Sequence, residues 1–214
     1  MSASGGRRAK HLAFVAHEIK NPLATALWSC DLLKRMEAAD RSGERATKMI
    51  DVSLRALRRM RRLVDDFFTL ERLQENAYDL AREKLPVRQL VQGALEALAE
   101  KDGIATDGWA IELADDAAVS CDGDLLRRAL RALLEHMARG GDDPQLSIQS
   151  RDGALHIQAR TPPTPLIPPE PDERRSGEPF GTVLGFSLAA RVIEGHGGKI
   201  EERDGGLLVT LPPA

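Results

Sequence analysis

The chain has 214 residues, of which 42% are hydrophobic and 29% are charged, and its formal net charge is −3. This composition is typical of one or two globular domains with a buried core, and it excludes disordered and collagen-like chains. The apolar runs are shorter than the ~18 residues of a membrane span, and no uncharged segment follows the Gly- and Arg-rich start, so we expect a cytoplasmic chain without membrane anchor or secretory signal.

Charge is divided unevenly along the chain. Residues 1–84 contain 17 Lys and Arg against 12 Asp and Glu, whereas residues 85–214 contain 13 against 21. This asymmetry predicts two domains, residues 1–84 and residues 85–214. Because no aromatic residues are interleaved with the basic ones in the first domain, we do not expect a nucleic-acid partner.

The first domain carries two helical patterns. Apolar residues recur at steps of three and four from Leu12 to Leu33, and again from Ile50 to about Leu73, which predicts two long helices. The polar stretch EAADRSGERA between them predicts a tight turn and therefore a helical hairpin. Two helices of ~30 residues, each about 45 Å long, cannot enclose a core alone. We therefore predict a homodimer in which two hairpins form a four-helix bundle.

The stretch AHEIKNPLATA places an ionisable ring and a proline in the first helix. In a heptad with Val15 and Ile19 on the seam, His17 falls at position f, which predicts an imidazole that faces solvent. Asn21 lies one turn further on nearly the same face. Pro22 lacks a backbone donor and crowds the carbonyl four residues earlier, so it predicts a bend just after the histidine.

The segment HEIKNPL resembles the phosphoacceptor box of the two-component histidine kinases. LRRMRRLVDDFFTLERLQ resembles the second dimerisation helix of that family, and LPVRQLVQGALEAL resembles the segment that leads into its ATP-binding domain. The resemblance implies that His17 is phosphorylated on a ring nitrogen, that Glu18 polarises the ring, and that Asn21 positions water for dephosphorylation. This chemistry is reasonable, since a neutral imidazole is a good nucleophile near pH 7 and a bonded carboxylate raises its basicity.

The second domain has a mixed pattern of strands and helices. WAIEL predicts a short strand, GDLLRRALRALLEHM an amphipathic helix, and PQLSIQS and ALHIQAR a hairpin around RDG. A helix and two further strands follow. Their order resembles the ATP-binding domain of the same family. The expected fold class is therefore α+β, with a helical hairpin that forms a dimeric four-helix bundle, followed by an α/β sandwich.

Residues that the resemblance would assign to nucleotide binding are mostly replaced. His136 stands where the family has an asparagine that coordinates Mg²⁺, and Ala132 stands at another usual asparagine position. Imidazole is a poor ligand for Mg²⁺, which prefers oxygen. Ala159 replaces the aspartate that bonds the adenine, while Thr161 and Pro163 replace glycines. This pattern predicts a disabled ATP site.

One glycine motif remains, in GTVLGF. Gly181 and Gly185 match a later glycine box of the family, with Val183 in place of a middle glycine, so they are candidates for a remnant phosphate site at a helix start. A proline-rich loop over residues 161–180 takes the place of the family's ATP lid. The role of this loop stays open.

Three functions are compatible with these patterns. The favoured one is a histidine phosphotransferase, in which His17 exchanges a phosphoryl group with an aspartate of a response-regulator receiver domain and no cofactor is required. An active kinase would instead load His17 from ATP with Mg²⁺. A non-catalytic dimeric interaction module would leave His17 silent. The histidines and cysteines share no ligand spacing, so we expect no metal site.

Overall fold

The chain divides into two compact units, Met1–Phe68 and Thr69–Ala214. The computed structural model describes residues 3–75, 78–102, 104–113, 117–141, 144–151, 154–168, 180–211 and 213–214. In this part of the chain, no helix is both long enough and apolar enough to cross a membrane.

The first unit contains the first helix and most of the second helix of the predicted hairpin. Helix α1 spans Ala3–Arg35 and helix α2 spans Glu44–Gln74, with a 3₁₀ turn at Ala38–Ser42 between them. Arg41 holds this turn against the end of α1, because its guanidinium donates from Nε to the Met36 carbonyl at 3.1 Å and from Nη2 to the Lys34 carbonyl at 3.2 Å. Carbonyls at a helix end have no partner within the helix, so this capping explains where α1 stops.

The hairpin buries small residues between its helices and leaves large ones exposed. The buried residues include Val15, Pro22, Ala26 and Ser29 of α1, and Ala46, Ser53, Ala56 and Leu63 of α2. The exposed large residues include Leu23 and Leu27 of α1, and Ile50, Leu54 and Leu57 of α2. Small residues let the two backbones approach closely, but they cover little apolar surface. A single hairpin therefore leaves an apolar stripe uncovered along both helices.

The second unit is the predicted α/β domain. Its sheet has five strands in the order β2-β4-β5-β7-β6, in which β2 runs parallel to β4 and the other neighbours are antiparallel. The strands are β2 Ala110–Leu113, β4 Leu146–Arg151, β5 Ala154–Ala159, β6 Lys199–Arg203 and β7 Gly206–Thr210. The helices are α3 Val87–Ala97, α4 Gly123–Met137 and α5 Phe180–Gly195. A separate antiparallel pair, β1 Glu83–Pro86 with β3 Ala118–Cys121, was not anticipated from the sequence.

The core of this unit lies between the sheet and the helices. Ile148, Ile157 and Leu207 are paired across three neighbouring strands and are buried to 1% exposure or less. Their sequence neighbours Gln149 and His156 lie on the opposite face of the sheet, as the strand period of two requires. Helix α4 packs between α3 and α5, and most of its residues are buried.

Asp122 and His196 join three segments of the second unit. The Asp122 carboxylate caps α4 by accepting from the Leu125 N–H at 3.1 Å, and it also accepts from the Ala81 N–H at 3.3 Å. The Asp122 N–H donates to His196 Nε2 at 2.9 Å, and the ring's Nδ1 donates to the Val192 carbonyl at 2.6 Å. This clasp connects the start of α4, the end of α5 and the chain ahead of β1.

Replacing His196 by alanine should lower the free energy of unfolding by about 1–3 kcal/mol, because the buried Asp122 N–H loses its acceptor. Urea unfolding followed by Trp109 fluorescence in a Trp28→Phe background would measure this change, since Trp109 is buried in the second unit. The control is Gln149→Ala on the exposed face of the sheet, where we expect a change within about 0.5 kcal/mol. Equal unfolding midpoints for the two variants would contradict the structural role of the clasp.

Candidate functional site

The predicted phosphoacceptor residues lie near the middle of α1. The helix is continuous through Pro22, whose ring is buried, while Asn21 is exposed and Glu18 is half-buried. The Thr25 hydroxyl donates to the Asn21 carbonyl at 3.1 Å. The backbone of residue 17 belongs to α1, but its side chain lies outside the described residues, so the solvent-facing ring and the bend after it stay predictions.

Trp28 is a large exposed aromatic on the same side of α1 as position 17. The two positions are 11 residues apart, which is three helical turns or about 16 Å along the axis. The Trp28 side chain is 62% exposed. Leu23 and Leu27 share a different face, because one residue step rotates a helix by about 100°. Trp28 therefore lies off the apolar stripe of the hairpin and near the face that carries the predicted site.

A second set of predicted site residues meets where α4 packs against α5. His136 is buried, and its Nε2 lies 2.8 Å from the Leu166 carbonyl oxygen. Since a carbonyl only accepts, this ring nitrogen must carry the proton. The edge of the ring faces Phe186, with centroids 5.2 Å apart and an interplanar angle of 67°. The imidazole is therefore packed as part of the protein interior.

The surroundings of His136 favour its neutral form. Burial lowers the pKa of the ring below its ordinary value of 6.5, and the nearby Arg139 guanidinium acts in the same direction. The hydrogen bond to Leu166 and the charge of Glu135 oppose this shift without cancelling it. A neutral imidazole whose Nε2 proton is bonded to a carbonyl has no lone pair on that nitrogen for a metal ion.

The other predicted positions are distributed around this contact. A Cβ atom on Gly185 would lie 3.3 Å from the Cβ of Ala132, so α4 and α5 touch closely there. Gly181 belongs to the first turn of α5, and its surroundings lie outside the described residues. Ala159 ends β5 on the helix-facing side of the sheet and is half-buried. Both glycines thus lie within a helix.

The predicted proline-rich loop is only partly described. Residues 161–168 follow β5, residues 169–179 lie outside the described part, and α5 begins at Phe180. The contacts of Leu166 and Phe186 with His136 were missed from the sequence. An available signal was the Leu166–Ile167 pair, which is apolar within an otherwise proline-rich stretch.

The residues around His136 do not fit a Mg²⁺–nucleotide complex. Mg²⁺ is bound through oxygen ligands, and Ala132 and His136 offer none from their side chains. Ala159 has no side-chain acceptor for an adenine amino group. In the described part of the chain, no three His, Cys, Asp or Glu residues are grouped so that they could hold a metal ion.

Acidification should destabilise the second unit through His136. Because burial lowers the pKa of the folded ring, the unfolded chain takes up a proton first as the pH falls through 6.5. The free energy of unfolding should therefore be highest above pH 6.5 and should fall below it, until the folded ring is also protonated. Urea unfolding between pH 8 and pH 5 should show a weaker dependence for His136→Gln, which keeps a donor for Leu166 but does not titrate.

The control for this experiment is His156→Gln, because His156 is a half-buried histidine on the outer face of the sheet. We expect it to retain the pH dependence of the unmodified chain. Parallel curves for the chain and for His136→Gln would contradict the assignment.

Known proteins resemble both parts of the chain. Residues 7–76 match the family model of the His Kinase A (phospho-acceptor) domain. The sensor protein VanS of Enterococcus faecium is 24% identical over 199 residues, an alignment that covers 87% of this chain and 51% of VanS. The chain thus spans about half the length of this curated relative.

Solved structures share the fold. The Acinetobacter baumannii histidine kinase AdeS superposes with a TM-score of 0.60 at 17% identity, covering 90% of this chain and 95% of that one. The histidine kinase ThkA, in its complex with the response regulator protein TrrA, gives a TM-score of 0.56 at 22% identity, covering 94% of this chain and 60% of that one. At these identities the likeness is one of fold.

Proposed function

Because this chain is a member of the two-component sensor histidine kinase family, we propose that it is a phosphorelay intermediate that carries a phosphoryl group on His17. In this proposal the group comes from, or returns to, an aspartate of a response-regulator receiver domain. His17 is the reacting residue, and Glu18 and Asn21 assist it. No ATP is used.

The packing of His136 is the observation that supports a relay over a kinase. Its ring is bonded to Leu166 and packed against Phe186, where the sequence resemblance expects a ligand for Mg²⁺. A ring held in this way supplies no Nε2 lone pair to Mg²⁺. In the proposal, the phosphoryl group therefore comes from another phosphoprotein.

The proposed reaction is a direct exchange between two side chains. The lone pair of a His17 ring nitrogen attacks the phosphorus of the receiver's aspartyl phosphate. The N–P bond forms as the P–O bond breaks, and aspartate leaves as a carboxylate. Glu18 accepts a hydrogen bond from the other ring nitrogen and so raises the basicity of the attacking one. Asn21, one turn further, orients the partner or water.

The partners follow from the surfaces of the hairpin. In the apolar stripe of the hairpin, Leu27 is 62% exposed and Leu57 is 48% exposed. A second hairpin would cover this stripe. A homodimer is therefore part of the proposal. A receiver domain as the other partner is supported by the ThkA structure, which holds a response regulator.

An active kinase is the second candidate function. The α/β unit has the fold of AdeS and ThkA, which are named histidine kinases. In that case His17 would be loaded from ATP, with Mg²⁺ bound in the second unit.

Labelled phosphate should appear on the chain when it is mixed with a phosphorylated receiver, and not when it is mixed with Mg²⁺–ATP alone. The modification should be acid-labile and should be abolished by His17→Gln, because glutamine has no nucleophilic nitrogen. Gel autoradiography after each incubation measures both routes. His156→Gln is the matched control and should be labelled like the unmodified chain.

Each other outcome of this experiment identifies a different function. Label from ATP that His17→Gln abolishes would establish the kinase and contradict the relay. No label from any receiver or from ATP would favour the non-catalytic interaction module.

Two substitutions should separate the dimer surface from the receiver surface. Leu57→Glu places a charge in the apolar stripe and should convert the dimer to a monomer in sedimentation experiments. Trp28→Ala should leave the dimer intact, and it should raise the receiver concentration for half-maximal transfer by about tenfold or more, as expected for an aromatic interface anchor. Trp28→Phe retains an aromatic ring and is the control. Normal transfer by Trp28→Ala would exclude this surface from the receiver contact.

A further inference from the structure

The segment that follows β5 is held in place although it is proline-rich. We name residues 160–168 the closing segment. At its start, the Arg160 N–H donates to the Gln145 carbonyl at 2.9 Å, which continues the pairing of β5 with β4 by one step. The segment therefore leaves the sheet in a fixed direction.

The closing segment next passes directly over the turn after α4. A Cβ atom on Gly140 would fall 1.7 Å from the Thr161 carbonyl oxygen and 2.8 Å from the carbonyl carbon of Pro162. Only glycine permits such a close approach of two backbones. The 3₁₀ turn at Ala138–Gly140 is thus shaped to receive this segment.

Further along, the closing segment is anchored on α4 at His136. Leu166 is 8% exposed, whereas its neighbour Ile167 is 40% exposed. The Leu166 carbonyl accepts from His136 Nε2 at 2.8 Å, and the His136 ring also packs against Phe186. The segment thus combines an apolar contact with a buried hydrogen bond at one point.

Its composition favours this docked form. Four of the nine residues are proline, namely Pro162, Pro163, Pro165 and Pro168. Prolines restrict the undocked chain, so docking loses less conformational entropy than it would for an ordinary loop. The burial of Leu166 and the hydrogen bond to His136 therefore have to order a segment that already has few accessible conformations.

We propose that the closing segment is an intramolecular plug, which covers α4 at His136 and excludes diffusible nucleotides from that place. The inference rests on the proposed function, since a relay protein has no need for ATP there. It goes beyond the proposed function because it assigns the exclusion of nucleotides to a segment of this chain. The plug also keeps α4, α5 and the end of β5 in one fixed arrangement.

Cysteine labelling tests the plug in the full chain. In a Cys30→Ser background, Leu166→Cys should react with a thiol reagent at least about tenfold more slowly than Ile167→Cys, the exposed neighbour. The remaining thiol, Cys121, does not interfere, because burial raises its pKa and keeps it protonated. Adding His136→Ala should accelerate labelling at position 166, and adding His136→Gln, which keeps a donor, should not.

The same labelling with millimolar Mg²⁺–ATP distinguishes a plug from a displaceable lid. The rate at position 166 should not change, and acceleration by nucleotide would overturn the proposal. Equal rates at positions 166 and 167 without nucleotide have two possible causes: the plug does not exist, or the Leu166→Cys substitution itself releases the segment. NMR of the unmodified chain separates them. If the plug exists, the His136 Nε2 proton gives a slowly exchanging signal, and absence of this signal overturns the proposal.

The outcome is separable from that of the proposed function. No transfer from any receiver, together with slow reaction at position 166 that Mg²⁺–ATP does not change, would refute the relay and leave the plug intact. Transfer from a receiver, together with labelling at position 166 that ATP accelerates, would support the relay and refute the plug.

Discussion

The second unit depends on a hydrogen bond between a buried ring and a backbone carbonyl. His136 has a polar nitrogen inside the protein, and a buried donor without an acceptor is costly. Leu166 supplies that acceptor from the segment after β5. The same contact brings an apolar side chain onto the helices and holds the ring against Phe186. The hydrogen bond of the His136 ring and the burial of Leu166 are therefore formed at the same place.

Periodicity was sufficient to predict most of the secondary structure. The helix predicted from GDLLRRALRALLEHM spans Gly123–Met137 in the structure, and the hairpin strands lie within one or two residues of their predicted positions. The pairing of Glu83–Pro86 with Ala118–Cys121 was not predictable in this way. It joins a short, largely exposed strand ending in proline to a distant partner, and no local pattern encodes that pairing.

The candidate site was predictable to the extent that it is local. His17, Glu18 and Asn21 lie within two turns of one helix, so the sequence places them together without knowledge of the fold. The environment of His136 is not local, because its partner carbonyl is 30 residues away along the chain. The sequence predicts a disabled nucleotide site, and this stays a prediction. The packing of His136 against Leu166 and Phe186 depends on tertiary contacts that no local pattern encodes.

The outer strand β6 limits how copies of this chain can associate. It lies at one end of the sheet order, with a row of backbone groups that another strand could pair with. Four of its five residues are charged, namely Lys199, Glu201, Glu202 and Arg203. Charged side chains oppose the stacking of sheets edge to edge, since an incoming strand would have to desolvate them. Self-association is thereby directed away from this edge of the sheet, and aggregation through it is disfavoured.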